Sequence, residues 1–339
     1  MKIAIAFNTP FGGYSHEDHV GQMEHEFEDR EPEMEYQVGE ALLKNGHEIL
    51  FAGIRDDVTL ELDRLRDFQP DLVFNCAEGF GDLDRLDYLL PALLEAEAYT
   101  YSGSPPLALM VTRNKGMSKK ILAHHGVKVP EFRTFRSGDD VPKEPDLPFP
   151  MFVKPLRLDA SAGIALASVV KDAAALKERV RFIHERIGGA AIAEQFIEGR
   201  ELYVTLMGNG DEVEVLPIGE MVFDKSVDPS ERIATRSAKW DNEFRENRGI
   251  KNRIAHRISD KAREAIAEAC RTTYRVLWLR DYARVDVRLD SDGVPWVIEA
   301  NANPYLNNNH EVAISAAKHG LNYYALIEKI VEIATARRT

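Results

Sequence analysis

Tyr282-Ala-Arg284-Val-Asp286-Val-Arg-Leu289, the turn Asp290-Ser-Asp-Gly293, and Val294-Pro-Trp-Val-Ile-Glu299-Ala-Asn301 form the stretch that decides how this chain is read. Two alternating runs around a turn-forming tetrad make the pattern of an antiparallel hairpin. With Leu289 facing Val294, the spacing predicts Arg284 opposite Glu299 and Tyr282 opposite Asn301. Strand side chains alternate with period two, so Arg284, Asp286, Glu299 and Asn301 should emerge on one face. Two carboxylates and an amide oxygen are hard ligands that suit Mg²⁺ held between protein and phosphates, and the guanidinium is left for an anionic oxygen. An exposed, salt-bridged hairpin would carry the same charges, and spacing alone leaves both readings open.

Upstream of the hairpin, Ser259 to Arg275 reads as a long amphipathic helix with Ala, Ile and Cys along its apolar stripe. At the other end of the chain, strands are expected at Lys2 to Phe7, His47 to Ile54, Asp71 to Cys76 and Ala98 to Ser102. Helical segments from Glu33 to Asn45 and from Leu86 to Leu94 alternate with them, which implies a parallel sheet with helices on its faces. No Gly-x-Gly-x-x-Gly or Gly-x-x-x-x-Gly-Lys-Ser/Thr follows any of these strands, so neither a dinucleotide fingerprint nor a P-loop is expected. A short helix spans Asn114 to His125. The Pro-rich run Val141 to Pro150 cannot continue regular structure and opens a new unit. There, strands Met151 to Lys154 and Ala165 to Val170 flank a small-residue loop, Leu156 to Gly163, before a helix at Ala173 to Arg186 and a strand at Ala190 to Phe196.

The chain has 339 residues, 44% of them hydrophobic, enough for one large core or two to three smaller ones. A net charge of −13 repels nucleic acid and acidic membrane surfaces, which makes small molecules the expected partners. No apolar run approaches the ~18 residues of a membrane span, and a cytoplasmic location is expected. Cys76 and Cys270, the two cysteines, lack Cys-x-x-Cys spacing and are expected as buried, reduced thiols.

Arg284-Val-Asp286 followed by Glu299-Ala-Asn301 resembles the metal-binding hairpin of ATP-grasp enzymes, and the chain is similar to D-alanine:D-alanine ligases from Gly12 to about Leu326. Lys115, at a helix head, and Lys154 of Phe-Val-Lys-Pro resemble the family's two phosphate-holding lysines. Ala160-Ser161-Ala162-Gly163 resembles its flexible phosphate loop, although Asp159 and Ala160 replace the usual lead-in. Ala193-Glu194-Gln195-Phe196-Ile197-Glu-Gly-Arg-Glu201 resembles its hinge strand, which implies Glu194 on the adenine amino group, Ile197 beside the ring and Glu201 on the ribose. Ala238-Lys239-Trp240 resembles its Ala-Lys-Tyr lid, and Gly12-Gly13-Tyr-Ser15-His-Glu17 its Gly-Gly-x-Ser-x-Glu, whose Glu orients the first substrate's ammonium.

The resemblance implies a three-part α/β architecture. Its parts are an N-terminal parallel-sheet domain over 1–111, a central lid over 112–192, and a C-terminal antiparallel-sheet catalytic part over 193–339. It also implies a ligase that joins a carboxylate to an amine through an acyl phosphate, with ATP and two Mg²⁺ ions, Mn²⁺ being the alternative metal. Arg284, Glu17, Ser161 and Lys239 are the catalytic candidates. Lys115, Lys154, Ser161, Glu194, Gln195, Phe196, Ile197, Glu201 and Lys239 would bind nucleotide; Asp286, Glu299 and Asn301 would bind metal. Amino-acid-like substrates are the expected partners, and a homodimer is the assembly considered.

Departures from the family concern the substrate. Glu78 stands where His is usual beside the donor, and Pro304-Tyr305-Leu-Asn-Asn-Asn309-His310-Glu311 replaces Pro-Gly-Met-Thr-x-x-Ser-Leu. A carboxylate at 311 would repel an acceptor carboxylate. The expectation is therefore an acceptor other than D-alanine, with an added amine or polar group met by Glu78, Asn309, His310 or Glu311. The stretch His16 to Glu35 holds nine acids, one Arg and three His and reads as a solvated acidic segment. Two other readings stand beside the ligase: authentic D-alanine:D-alanine ligase, and a nucleotide-binding regulatory protein without turnover.

Overall fold

A computed structural model describes residues 1–8, 34–54, 58–80, 83–158 and 161–337. In the N-terminal part, β1 (Lys2–Asn8), α1 (Met34–Lys44), β2 (Glu48–Ile54), α2 (Thr59–Phe68) and β3 (Leu72–Asn75) alternate. β1 lies between β2 and β3, all parallel. Such strands are covered on both faces, which is why Ile3 to Phe7 is apolar throughout and buried. The expected fourth strand shrinks to one parallel bridge between Val73 and Tyr101. Gly103, at φ 90°, turns the chain away there. After α3 (Leu89–Ala96), the proline-led α4 (Pro106–Arg113) then takes the chain out of the sheet.

The central unit carries α5 (Lys115–His124), β4 (Phe132–Phe135), β5 (Met151–Pro155), β6 (Val169–Val170), α6 (Ala173–Phe182) and β7 (Ala191–Gln195). Its four strands are antiparallel in the order β4-β7-β5-β6. The expected strand from Ala165 is reduced to two residues because a 3₁₀ turn occupies Leu166–Ser168.

A second antiparallel sheet, ordered β11-β10-β8-β12-β13, is built from β8 (Arg200–Met207), β9 (Glu214–Val215) on β8, β10 (Gly219–Val222), β11 (Lys251–Ile254), β12 (Tyr282–Leu289) and β13 (Pro295–Asn301). Between them lie the short α7 (Arg236–Trp240) and α8 (Asn242–Asn247) and the long α9 (Asp260–Val276). Period-two alternation sorts β12: Ala283, Val285, Val287 and Leu289 join the core with Ile266, Cys270 and Tyr274 of α9, which leaves Arg284, Asp286 and Arg288 for the opposite face. Both cysteines are buried and free, as expected. At Gly199 a Cβ would stand 2.2 Å from the Leu289 carbonyl oxygen, so the turn into β8 tolerates only glycine.

The chain closes on itself through α10 (Glu311–His319) and α11 (Tyr323–Thr335). Leu326, Ile330 and Val331 of α11 pack with Phe51, Phe74 and Leu42 against the N-terminal sheet. No described helix is long and apolar enough to cross a membrane.

Asp281, fully buried at φ 63°, ties the parts together. Its carboxylate accepts from the Gly103 amide at 2.8 Å, from Asn209 Nδ2 at 2.9 Å and from Arg337 Nη1 at 3.0 Å. Asp281→Ala would leave Arg337 and two donors without this partner, and is expected to cost about 3–5 kcal/mol in urea unfolding. A midpoint equal to wild type would show that the clamp does not bear on stability.

Candidate active site

The hairpin register differs from the expected one. Arg284 pairs with Asn301 and Asp286 with Glu299, whereas Val287 pairs with Val297, so Ile298 is the extra residue of a bulge. The turn also pairs one position later than expected, because Leu289 faces Pro295 and the Asp290 amide donates to Val294 O at 3.1 Å. Both shifts act in the same direction. The four polar residues consequently stand as two directly opposed pairs on one face of the sheet.

On that face the charges are tightly matched. Arg284 Nε donates to Asp286 Oδ1 at 2.7 Å and Nη2 to Oδ2 at 3.1 Å, a fork on a carboxylate. Its third nitrogen, Nη1, donates to Glu311 Oε2 at 3.3 Å, and the guanidinium lies 5.2 Å from the Tyr203 ring centroid. Glu299 Oε1 meets Lys115 Nζ at 2.7 Å. Burial alone would raise the Glu299 pKa; Lys115 foremost, then Lys154 and Lys239, hold it down at about 2. Asn301 Nδ2 donates to Asp286 Oδ1 at 3.2 Å.

Beside this face a slot opens between the two antiparallel sheets. It is lined by Lys154, Ser161, Glu194, Gln195, Phe196, Ile197, Glu201 and Lys239, which include all the residues expected to hold nucleotide except Lys115. Lys115 lines the adjoining cleft of about 760 Å³, together with Arg284, Asp286, Glu299 and Asn301. Lys115 sits at the first turn of α5, where Asn114 caps the helix by accepting from the Met117 amide. Lys154 Nζ lies 3.2 Å from Glu194 Oε2. Ser161, at φ 59°, donates its hydroxyl to Ala234 O at 2.8 Å. Glu201 is ion-paired with Arg288 at 2.6 Å, and Lys239 lies 5.6 Å from the Tyr203 ring centroid.

Glu78, Asn309, His310 and Glu311 line the far part of the same cleft. Glu311, expected to repel an acceptor carboxylate, does not stand there as an isolated charge. Its carboxylate is already paired with Arg284 and accepts from Asn252 Nδ2 at 3.3 Å. Burial would raise its pKa, but Arg284 chiefly, with Lys239, lowers it. His310 instead joins an aromatic cluster, with ring centroids 5.4 Å from Trp240 and 5.0 Å from Tyr305. Glu17 and most of the acidic segment lie outside the described residues.

Sequence reasoning missed Lys119, Arg288 and Tyr203. Lys119 stands one helical turn after Lys115, and Arg288 two residues after Asp286 on the same strand face. Both could have been found by extending each motif by its own period. Tyr203 carries no such signal.

A family profile described as the D-ala D-ala ligase C-terminus matches residues 121–332. The chain belongs to the D-alanine–D-alanine ligase family. An uncharacterized protein of Sinorhizobium fredii is 33% identical over 302 residues, 88% of this chain and 86% of that one. The D-alanine–D-alanine ligase of Bordetella petrii is 28% identical over 273 residues, 79% and 77% of the two chains. Among solved structures, the Bacillus anthracis D-alanine–D-alanine ligase complexed with ATP superposes with a TM-score of 0.74 at 22% identity, covering 98% and 97% of the chains. VanG, the D-Ala:D-Ser ligase of Enterococcus faecalis, does so with 0.67 at 20%, covering 98% and 99%. Membership of the D-alanine–D-alanine ligase family makes the chain an ATP-grasp ligase that forms carbon–nitrogen bonds, and the mixed α/β fold, with a parallel N-terminal sheet and antiparallel sheets after it, agrees with the fold class expected above.

Proposed function

We propose that this ligase activates an amino-acid-like carboxylate as an acyl phosphate and transfers the acyl group to an amine, with release of ADP and phosphate. One observation carries the reading: Arg284, Asp286, Glu299 and Asn301 share one sheet face and open into the same cleft as Lys115, Lys154, Ser161 and Lys239.

A carboxylate resists attack by an amine and repels a triphosphate, so the chemistry requires positive charge at the phosphates and a donor for the later oxyanion. Lys115, Lys154 and Lys239 would hold the phosphates, with Ser161 on the loop beside them. Gln195, Phe196 and Ile197 would enclose the base against Glu194, and Glu201 would meet the ribose. The donor oxygen attacks the γ-phosphorus and ADP departs. The neutral amine then attacks the carbonyl carbon, phosphate leaves with the electron pair of the C–O bond, and the proton lost from nitrogen goes to the departing phosphate. Arg284 would receive the negative charge that builds on the carbonyl oxygen between those events.

Asp286 and Glu299 face each other as ladder partners, and Glu299 stays ionised far below neutrality, a hard-oxygen set that fits Mg²⁺ shared with phosphates. Bound there with Asn301, the metal would neutralise the phosphate oxygens during transfer. Among the described residues no group of three or more His, Cys, Asp or Glu could hold a metal, and Asp286 and Glu299 are the carboxylates that would hold one with Asn301.

The acceptor proposed is an amine with a further polar or amino group, met by Glu78, Asn309 or His310, and Glu17 would orient the donor. Pairing of Glu311 with Arg284 favours keeping D-alanine as a second acceptor reading, because the charge expected to repel it is offset. A pairwise screen of amino acids and amines, including D-alanine, with ATP and Mg²⁺ should reveal amine-dependent phosphate release, and product mass should identify the bond. EDTA should stop the release, and Mg²⁺ or Mn²⁺ should restore it. Phosphate release that no amine accelerates, or that EDTA leaves untouched, would count against the ligase reading.

A further inference from the structure

Glu194 lies between two lysines. Its Oε1 stands 3.3 Å from Lys119 Nζ and its Oε2 3.2 Å from Lys154 Nζ, and all three side chains are at most 3% exposed. The lysines differ in what else they serve. Lys154 lines both the slot and the wider cleft, on the path of the phosphates. Lys119 lines neither: it is 1% exposed on α5, and its ammonium also donates to Ile298 O at 2.7 Å, the bulge residue of β13.

We propose that Lys119 is the positioning residue for nucleotide-base recognition: it is the counterion that holds the Glu194 carboxylate aimed into the slot once Lys154 turns to phosphate. The inference rests on the nucleotide-site reading above and extends it to a residue that touches no nucleotide.

The chemistry follows from the donor inventory. An ionised carboxylate only accepts, so it welcomes the exocyclic amine of adenine and repels the carbonyl oxygen that guanine presents at the same ring position. That discrimination lasts only while the carboxylate is held facing the slot. A buried carboxylate whose sole counterion is drawn away by phosphate would swing after it and turn from the slot. Lys119 prevents this, at the cost of its own desolvation: burial lowers its pKa to about 8, Glu194 opposes the fall, Lys154 adds to it and the more distant Glu299 opposes it.

Calorimetric titration of ATP and GTP, each with Mg²⁺, into the full chain tests this with Lys119→Met, Glu194→Gln and the double variant, thermal melting serving to check the fold. Lys119→Met should weaken ATP binding roughly tenfold or more, as expected when a buried charge loses its partner, and leave GTP little changed, so that the ratio narrows. A neutral amide at 194 needs no counterion. The double variant should therefore bind ATP within about threefold of Glu194→Gln alone, in place of the product of the two single losses. Lys119→Met with wild-type ATP affinity would overturn the proposal, as would a double variant in which the losses multiply. If Lys119→Met fails to fold, the double variant against Glu194→Gln still decides, since a neutral buried pair is readily accommodated. Wild-type protein that binds neither nucleotide would instead overturn the nucleotide-site reading beneath the inference.

Discussion

Asp286→Asn and Glu299→Gln should each lower amine-dependent phosphate release by about a thousandfold or more, with ATP still bound. Both substitutions are isosteric and remove one negative charge from the ladder pair that lines the cleft, where the proposed site puts the phosphates. Loss of a metal contact worth several kcal/mol in transition-state stabilisation corresponds to about three powers of ten. The two variants should differ in stability. Asp286→Asn leaves Arg284 its contact with Glu311, whereas Glu299→Gln takes away the close carboxylate partner of the buried Lys115. Turnover within tenfold of wild type in both variants, in saturating Mg²⁺, would remove Asp286 and Glu299 from the metal site.

Arg284→Met should have two separable effects. Losing a preorganised oxyanion donor lowers kcat by about 10²–10³-fold. Losing the guanidinium also leaves Asp286 and Glu311 buried without the cation they share, which should cost about 3–5 kcal/mol in denaturant unfolding. Adding Glu311→Leu removes one of the stranded charges and fits the apolar residue usual in the family. The double variant should regain a good part of the stability and none of the rate. If rate and stability recover together, Arg284 acts through the fold alone and the oxyanion role fails.

The hairpin face was legible because period-two alternation survives any register in which charged positions keep their parity. The register itself was not, since a bulge at Ile298 depends on how β13 meets its neighbours and leaves no mark in alternation. Gly199 and the hinge run could be read from the motif, and Lys119 and Arg288 were within reach of the same periodicities. The role of Glu311 was out of reach because it depends on a contact 27 residues away in sequence, with Arg284, made only when α10 docks on the sheet. The fourth N-terminal strand failed for a local reason, a turn at Gly103, although its residues have ordinary strand composition.

The pairing of cations around the slot has a consequence for what can enter it. Lys115 with Glu299, Lys154 with Glu194, Arg284 with Asp286 and Arg288 with Glu201 are four close matches, at 2.7, 3.2, 2.7 and 2.6 Å. A polyphosphate that draws on Lys115 and Lys154 would do so by exchange: Glu194 keeps Lys119, whereas Glu299 would need a cation of its own. With Glu299 loosened and Asp286 opposite it, a divalent ion carried in by the phosphates would be the natural replacement. On the proposed site, entry would thus be a double swap that conserves charge, one that favours the metal-laden nucleotide over the bare one. Because the exchanging lysines are 2% exposed and Glu299 only 18%, ionic strength should influence that selection far less than the metal does.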